Sequence, residues 1–256
     1  MGGCRAPRRW VKICATKNPV SRQERYRARY RALRRGWRDS LVLYREAVAS
    51  QVTAGSAVLD VGCGHADWLI PELAPARLTI GVDPDVAALE RNRMVRLRVA
   101  AVAERLPFSD GVFDVIVSAW VFEHIEQPAE VLAELYRVLR PGGRLVFLTP
   151  NAWNYNIWLI RLIPNRLHDV FTRRLYDREE FDTYPVRYRL NSPRRLQRFI
   201  RAAGFCRCTL TFNGDPTYVG LSDLLLVAAS TVERLLDLPP FRKARVHIIG
   251  VCERPG

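Results

Sequence analysis

The sequence predicts an α/β protein: an open, doubly wound sheet in three layers, helix, sheet and helix. Two observations carry this. Val58-Leu59-Asp60-Val61 is an apolar run that ends around an acid and passes through Gly62-Cys63-Gly64-His65-Ala66-Asp67, a loop of small residues, into a helix. Leu78-Thr79-Ile80-Gly81-Val82 is a second apolar run of strand length, with Asp83 at its end. Apolar runs of this length alternating with helical segments predict parallel strands joined by crossover helices.

Taken in order, Arg22–Ala49 reads as one or two helices, because Tyr26, Tyr30, Leu33, Trp37, Leu41 and Tyr44 recur every three to four residues. Such a stripe is ordinarily a core-facing side, with Tyr26 or Tyr30 the residues that could reach a site. After the two strands, Val86–Arg93 is expected as a helix, and Glu104–Gly111 as a turn-rich link into the fourth strand, Phe113–Ser118. A helix around Pro128–Leu139 stops at Pro141-Gly142-Gly143, and Arg144–Leu148 forms a fifth strand. Residues 152–193 alternate aromatic, arginine and polar residues without helical or strand period, as a substrate lid at the functional end of a scaffold would. Ser192-Pro193 then starts a helix over Arg194–Ala203, with proline in the first turn. Cys206–Phe212 and Arg245–Cys252 are expected as strands six and seven, separated by an amphipathic helical insertion over 219–239.

Gly62 and Gly64 lack a Cβ, so the loop can adopt positive φ and its backbone can lie against a ligand. The spacing is Gly-x-Gly-x-Ala, with Asp67 where the dinucleotide fingerprint requires a third glycine, which argues against a nicotinamide cofactor. Asp83 stands where an open α/β sheet places a carboxylate for two ribose hydroxyls. It can equally cap the helix at Val86.

These residues resemble one family, the class I S-adenosylmethionine-dependent methyltransferases, in particular the group that includes the quinone-biosynthesis methyltransferases. The matching segments are Val58–Ala66, Val82-Asp83, Ala103–Phe108, Phe113–Ser118, Glu123-His124 and Arg137–Leu145, in order across Ala57 to Asn151. The resemblance implies a Rossmann-like sheet of seven strands in the order 3-2-1-4-5-7-6, with strand seven antiparallel. It also implies S-adenosyl-L-methionine as cofactor, lying across the carboxyl ends of the first strands. By the same resemblance Gly62, Cys63 and Gly64 approach the methionine and ribose. Asp60 orders the loop and the ammonium, Asp83 holds the ribose hydroxyls, and Pro84 packs on the adenine. Ala103 and Glu104 border the adenine, while Ser118, Ala119 and Trp120 flank the sulfonium. The chain departs from the pattern at Val102, where the family usually has an aspartate for the adenine amino group.

The charge is uneven. Of a net +14, residues 1–50 carry 14 Lys/Arg against three acids, whereas residues 51–150 carry 9 against 13. The organisation expected is a basic helical N-terminal extension, 1–50, followed by a methyltransferase domain, 51–256. Part of the charge is compositional, since 37 of the 40 basic residues are arginine, but the clustering points to an anionic partner. Six scattered cysteines with no Cys-x-x-Cys pair are expected to be reduced thiols, and no metal site is expected. The opening Met1–Val20 has no apolar run of signal length, so a cytoplasmic protein is expected, with peripheral contact at the inner face of the membrane.

Methyl transfer chiefly requires aligned reactants and excluded water; a base is needed only when the acceptor must lose a proton. His124 is the candidate, with His168 in the lid behind it. The Asp/Asn-Pro-Pro-Tyr/Phe run of adenine-directed enzymes is absent after strand four, and no cysteine lies between Cys63 and Cys206 to attack cytosine. An oxygen or carbon of a small or lipid-like acceptor is therefore expected. An RNA substrate and a non-catalytic cofactor-binding partner protein are the alternatives, and the oligomeric state stays open.

Overall fold

The computed structural model describes residues 22–155, 185–219 and 222–256. Much of the expected lid, His168 and the first 21 residues lie outside that set. The strands are β1 (Ala57–Val61), β2 (Leu78–Asp83), β3 (Leu97–Ala100), β4 (Phe113–Ala119), β5 (Leu139–Pro150), β6 (Cys206–Asn213) and β7 (His247–Glu253). They form one sheet in the order β3-β2-β1-β4-β5-β7-β6, the order expected, with β7 antiparallel to both neighbours.

β1 is buried along its whole length, which is why it reads as a continuous apolar run rather than an alternating one. β3 is mostly exposed at the sheet edge, and its sequence Leu97-Arg98-Val99-Ala100 gives no such run. The helix after β4, Pro128–Val138, ends earlier than the Pro-Gly-Gly stop. β5 already begins at Leu139, which pairs with Phe113. The register then shifts between Phe113 and Val115, so Arg140–Gly143 bulge out of a strand that continues past them.

The N-terminal segment forms two helices, α1 (Arg22–Leu33) and α2 (Ser40–Ala49), separated by a turn in which Gly36 has φ 85°. Asp39 caps α2, accepting from Leu41 N at 2.7 Å. Ser40 Oγ meets His247 Nδ1 at 2.8 Å and accepts from Asn213 Nδ2 at 2.9 Å, and Trp37 Nε1 donates to Gly214 O at 2.8 Å. These bonds fix α2 against the β6–β7 end of the sheet, where Tyr44 and Val48 enter the core. The other α-helices among the described residues are α3 (Ile70–Leu73), α4 (Val86–Arg91), α5 (Pro128–Val138), α6 (Pro193–Ala202) and α7 (Asp223–Leu235). α5 buries Val131, Leu132, Leu135 and Val138 against the opposite face, each worth roughly 1.5–3 kcal/mol.

The cysteine expectation needs correction. Cys208 and Cys252 are joined by a disulfide, S–S 1.96 Å, between the adjacent strands β6 and β7, while Cys63 and Cys206 are free. The pairing comes from cross-strand neighbours, which spacing along one strand does not reveal.

Candidate active site

The carboxyl ends of β1, β2 and β4 meet at the glycine loop. Gly62 has φ 71° and Gly64 φ 48°, the left-handed region expected for this turn. Their surroundings differ. A Cβ on Gly62 would lie 2.2 Å from Val121 Cγ2, so the loop that follows β4 presses directly on it; a Cβ on Gly64 would meet nothing within 4 Å. Gly64 therefore borders open space.

Gly62 N and Cys63 N both donate to Val82 O, at 2.8 and 3.2 Å, tying the loop to the end of β2. Cys63 faces inward: its sulfur lies under Gly81, and burial pushes its thiol pKa far up. A side chain the sequence does not single out completes the support. Asn92, fully buried after α4, donates to Cys63 O at 3.2 Å and Gly64 O at 2.9 Å, and its oxygen accepts from Met94 N and Val95 N. Its two N–H groups hold the loop, and its oxygen anchors it to the segment after α4.

Two carboxylates converge here with opposite degrees of support. Asp83 accepts from Gly64 N on one oxygen and Asp85 N on the other, each at 2.9 Å, leaving lone pairs on both for a pair of hydroxyls. Asp60 is 5% exposed and receives no hydrogen bond from any described residue. Burial, and then the charge of Asp83, push its pKa up to about 7. A buried carboxylate without a donor is costly unless a cation arrives, and an ammonium group answers that need.

The aromatic residue that reaches this point is Tyr44 of α2. It is fully buried, and its hydroxyl approaches Asp60 and the Ser118 backbone without a full hydrogen bond. Tyr30 instead packs edge-on against Trp37, 5.0 Å between centroids, and accepts a bond from Arg34. Ser118 Oγ donates to Val61 O at 3.1 Å, bracing β4 on β1. Ala119 is buried; Trp120, half-buried with φ 60°, packs edge-on against His247. Pro84 is exposed just past Asp83, and Ala103 and Glu104 are half-buried beyond β3, whose exit is held by Ala101 N on Asp83 O. Val102 is 48% exposed.

His124 lies in the loop after β4, with Nδ1 3.1 Å from Pro185 O. A carbonyl only accepts, so Nδ1 carries a proton, and in the neutral ring the lone pair is on Nε2. Nε2 lies 4.0 Å from Glu123 Oε1. Glu123 is buried, accepts from Thr149 Oγ1 at 3.2 Å, and its carbonyl accepts from Arg187 N and Tyr188 N. Asn191 Nδ2 in turn donates to Thr149 Oγ1. This network ties the β4 loop, the end of β5 and residues 185–191 into one wall.

A family model described as a methyltransferase domain matches residues 59–147. The chain is 32% identical over 171 residues to a demethylmenaquinone methyltransferase of Thermus thermophilus, covering 59% of this chain and 75% of that one. It is 31% identical over 132 residues to a ubiquinone biosynthesis O-methyltransferase of Sodalis glossinidius, covering 45% of this chain and 53% of that one. Among solved structures, a geranyl diphosphate C-methyltransferase from Streptomyces coelicolor, with Mg2+, geranyl diphosphate and S-adenosyl-L-homocysteine, shares the fold at TM-score 0.55 and 14% identity, covering 83% of this chain and 76% of that one.

Proposed function

We propose that this chain, which belongs to the class I S-adenosylmethionine-dependent methyltransferases, moves a methyl group to an oxygen or carbon of a small or lipid-like acceptor. The observation that carries the reading is the pair of carboxylates: Asp60 buried and without a donor, Asp83 held open by two backbone N–H groups, with open space beyond Gly64. They fit the ammonium and the ribose hydroxyls of S-adenosylmethionine, which supplies a methyl group already activated on a sulfonium.

The remaining work falls to this chain's own residues. Asp60 takes the ammonium, with the Tyr44 ring shielding that end from water. Asp83 takes the two hydroxyls, Pro84, Ala103 and Glu104 border the adenine, and Ser118, Ala119 and Trp120 form the wall beside the reacting centre. Holding both partners in one geometry supplies most of the acceleration. Where the acceptor is a hydroxyl, His124 Nε2 accepts its proton, and Glu123 stabilises the imidazolium that forms. The acceptor class rests on the relatives, two of which are named for quinone methylation.

The test is methyl transfer from labelled S-adenosylmethionine into fractionated cell extract. Label in the organic phase supports the reading. Label in RNA assigns the alternative substrate, and tight cofactor binding with no transfer to any fraction assigns a non-catalytic partner.

A further inference from the structure

Helix α7 is inverted in its polarity. Its inner side buries Leu226, Ala229 and the charged Glu233. The opposite side, at helical spacing, carries Leu224, Val227, Thr231 and Leu235, of which Leu224 is 79% exposed and Leu235 58%. The turn after it adds Leu238 and Phe241, both about half exposed. A surface helix ordinarily turns its charges to water. A continuous exposed apolar face marks a surface that something covers.

The rim of this face is cationic. Arg29 of α1 pairs with Asp223 at the helix start, 2.5 Å, and Arg242 Nε donates to Asp237 O beyond its end, 2.8 Å. Arg234 and Lys243 stand exposed beside them, and the other acid of the rim, Asp237, is already bound by Arg34 and Arg245.

We infer that α7 and the Leu238–Phe241 turn dock this protein on a bilayer with anionic headgroups. The apolar side chains enter the acyl boundary and the rim arginines meet lipid phosphates. Charge selects the occupant: a two-fold contact between copies would set this rim, on a chain of net +14, against its own sign, whereas an anionic surface complements it. α7 is 13 residues long and lies on the surface; among the described residues no helix is long and apolar enough to cross a membrane. Its inner side holds the Tyr155 hydroxyl on Glu233 at 3.1 Å, five residues past β5, so the docked helix is tied to the segment leaving the candidate site. The inference also moves the membrane contact expected from residues 1–50. Trp37 is buried with its indole on Gly214 O, and Trp10 lies outside the described residues.

Cosedimentation with phosphatidylglycerol/phosphatidylcholine vesicles, and with phosphatidylcholine alone, tests this without reference to methyl transfer. The parent should pellet with the anionic vesicles and not the neutral ones. The double variant Leu224→Asp, Leu235→Asp, at two exposed positions, should melt within a few degrees of the parent and partition at least about tenfold more weakly. Arg242→Glu with Lys243→Glu leaves the apolar face intact and should also weaken it. Equal pelleting of parent and apolar-face variant, or a parent that stays in the supernatant, overturns the inference. Sedimentation velocity without lipid adds one more outcome: a dimer that the Leu224→Asp, Leu235→Asp variant dissolves assigns the face to a second copy instead.

Discussion

The two halves of the sheet treat their polar groups in opposite ways. In the β3-β2-β1-β4 half the carboxylates at the strand ends are left open: Asp83 keeps lone pairs beyond its two backbone bonds, and Asp60 has no donor among the described residues. Beside β5, β7 and β6 most buried polar groups bind one another, through Glu123, Thr149 and Asn191 Nδ2, through His247, Ser40 and Asn213, and through Arg27 and Asp215, the exceptions being Asn191 Oδ1, Glu233 Oε2 and Arg245 Nε. On the proposed reading the first half receives a charged ligand, so its electrostatic debt is settled by binding. The second holds a wall in place, so its contribution on the same reading is position.

The strongest way to break this contrast is at His124. If it is the base, His124→Ala should lower the chemical step by roughly 10²–10⁴-fold in single-turnover assays while the cofactor affinity stays within about twofold. Loss of cofactor binding instead would make it one more member of the wall.

The glycine loop offers the next largest effect. Gly62→Ala combines a positive φ with a Cβ 2.2 Å from Val121 Cγ2, and Gly64→Ala carries the φ cost alone. The former should cost about 3 kcal/mol, lowering the melting temperature by roughly 6–12 °C, and the latter about 1–2 kcal/mol. Equal shifts in the two variants would mean that the contact from Val121 relaxes freely.

pH probes the second half as well. Burial raises Glu233, whose Oε2 has no partner, to about 7. A raised carboxyl stabilises the fold below the unfolded carboxylate range, and that stability is lost as pH rises toward about 7. His247, which burial lowers to about 3, acts in the opposite sense, losing stability as pH falls below the ordinary histidine range. The informative readout is therefore the difference between parent and Glu233→Gln: the variant should gain melting temperature relative to the parent between about pH 4.5 and 7. A constant difference would show that Glu233 does not titrate in that window.

The smallest expected effect sharpens the cofactor half. Val102→Asp places an acceptor where the family usually has one, and should tighten S-adenosylhomocysteine binding several-fold, about 1 kcal/mol, by calorimetry. No change would mean that the backbone already satisfies the adenine amino group.

How far the molecule was legible in its sequence follows the same division. Gly62, Gly64 and Asp83 announce themselves because positive φ and a strand-end carboxylate limit the residues that will serve, and the sheet order followed from the resemblance of the whole segment. Asn92 was not legible, and Tyr44 was legible only as a core-facing member of the helical stripe, with Tyr26 or Tyr30 expected nearer the site. Each acts through a contact made by folding, an amide turned onto two loop carbonyls and a ring from α2 brought beneath Asp60, which no local pattern specifies. β3 was counted in the strand order but not located, because an exposed edge strand has no apolar run to detect. The reversed face of α7 escaped for a different reason: amphipathic spacing gives the stripe but not which side meets the core, and here the side with a glutamate does.

Asp60 tests the central claim most directly, because it gives nothing to the fold that its amide could not give. Asp83→Ala is less clean, since it also frees the Gly64 and Asp85 amides. Calorimetric titration of Asp60→Asn with S-adenosylmethionine should show affinity at least about tenfold below the parent, the loss of one charge-assisted contact, while the ligand-free variant melts no lower than the parent above about pH 7. Unchanged affinity in a folded Asp60→Asn protein would contradict the account.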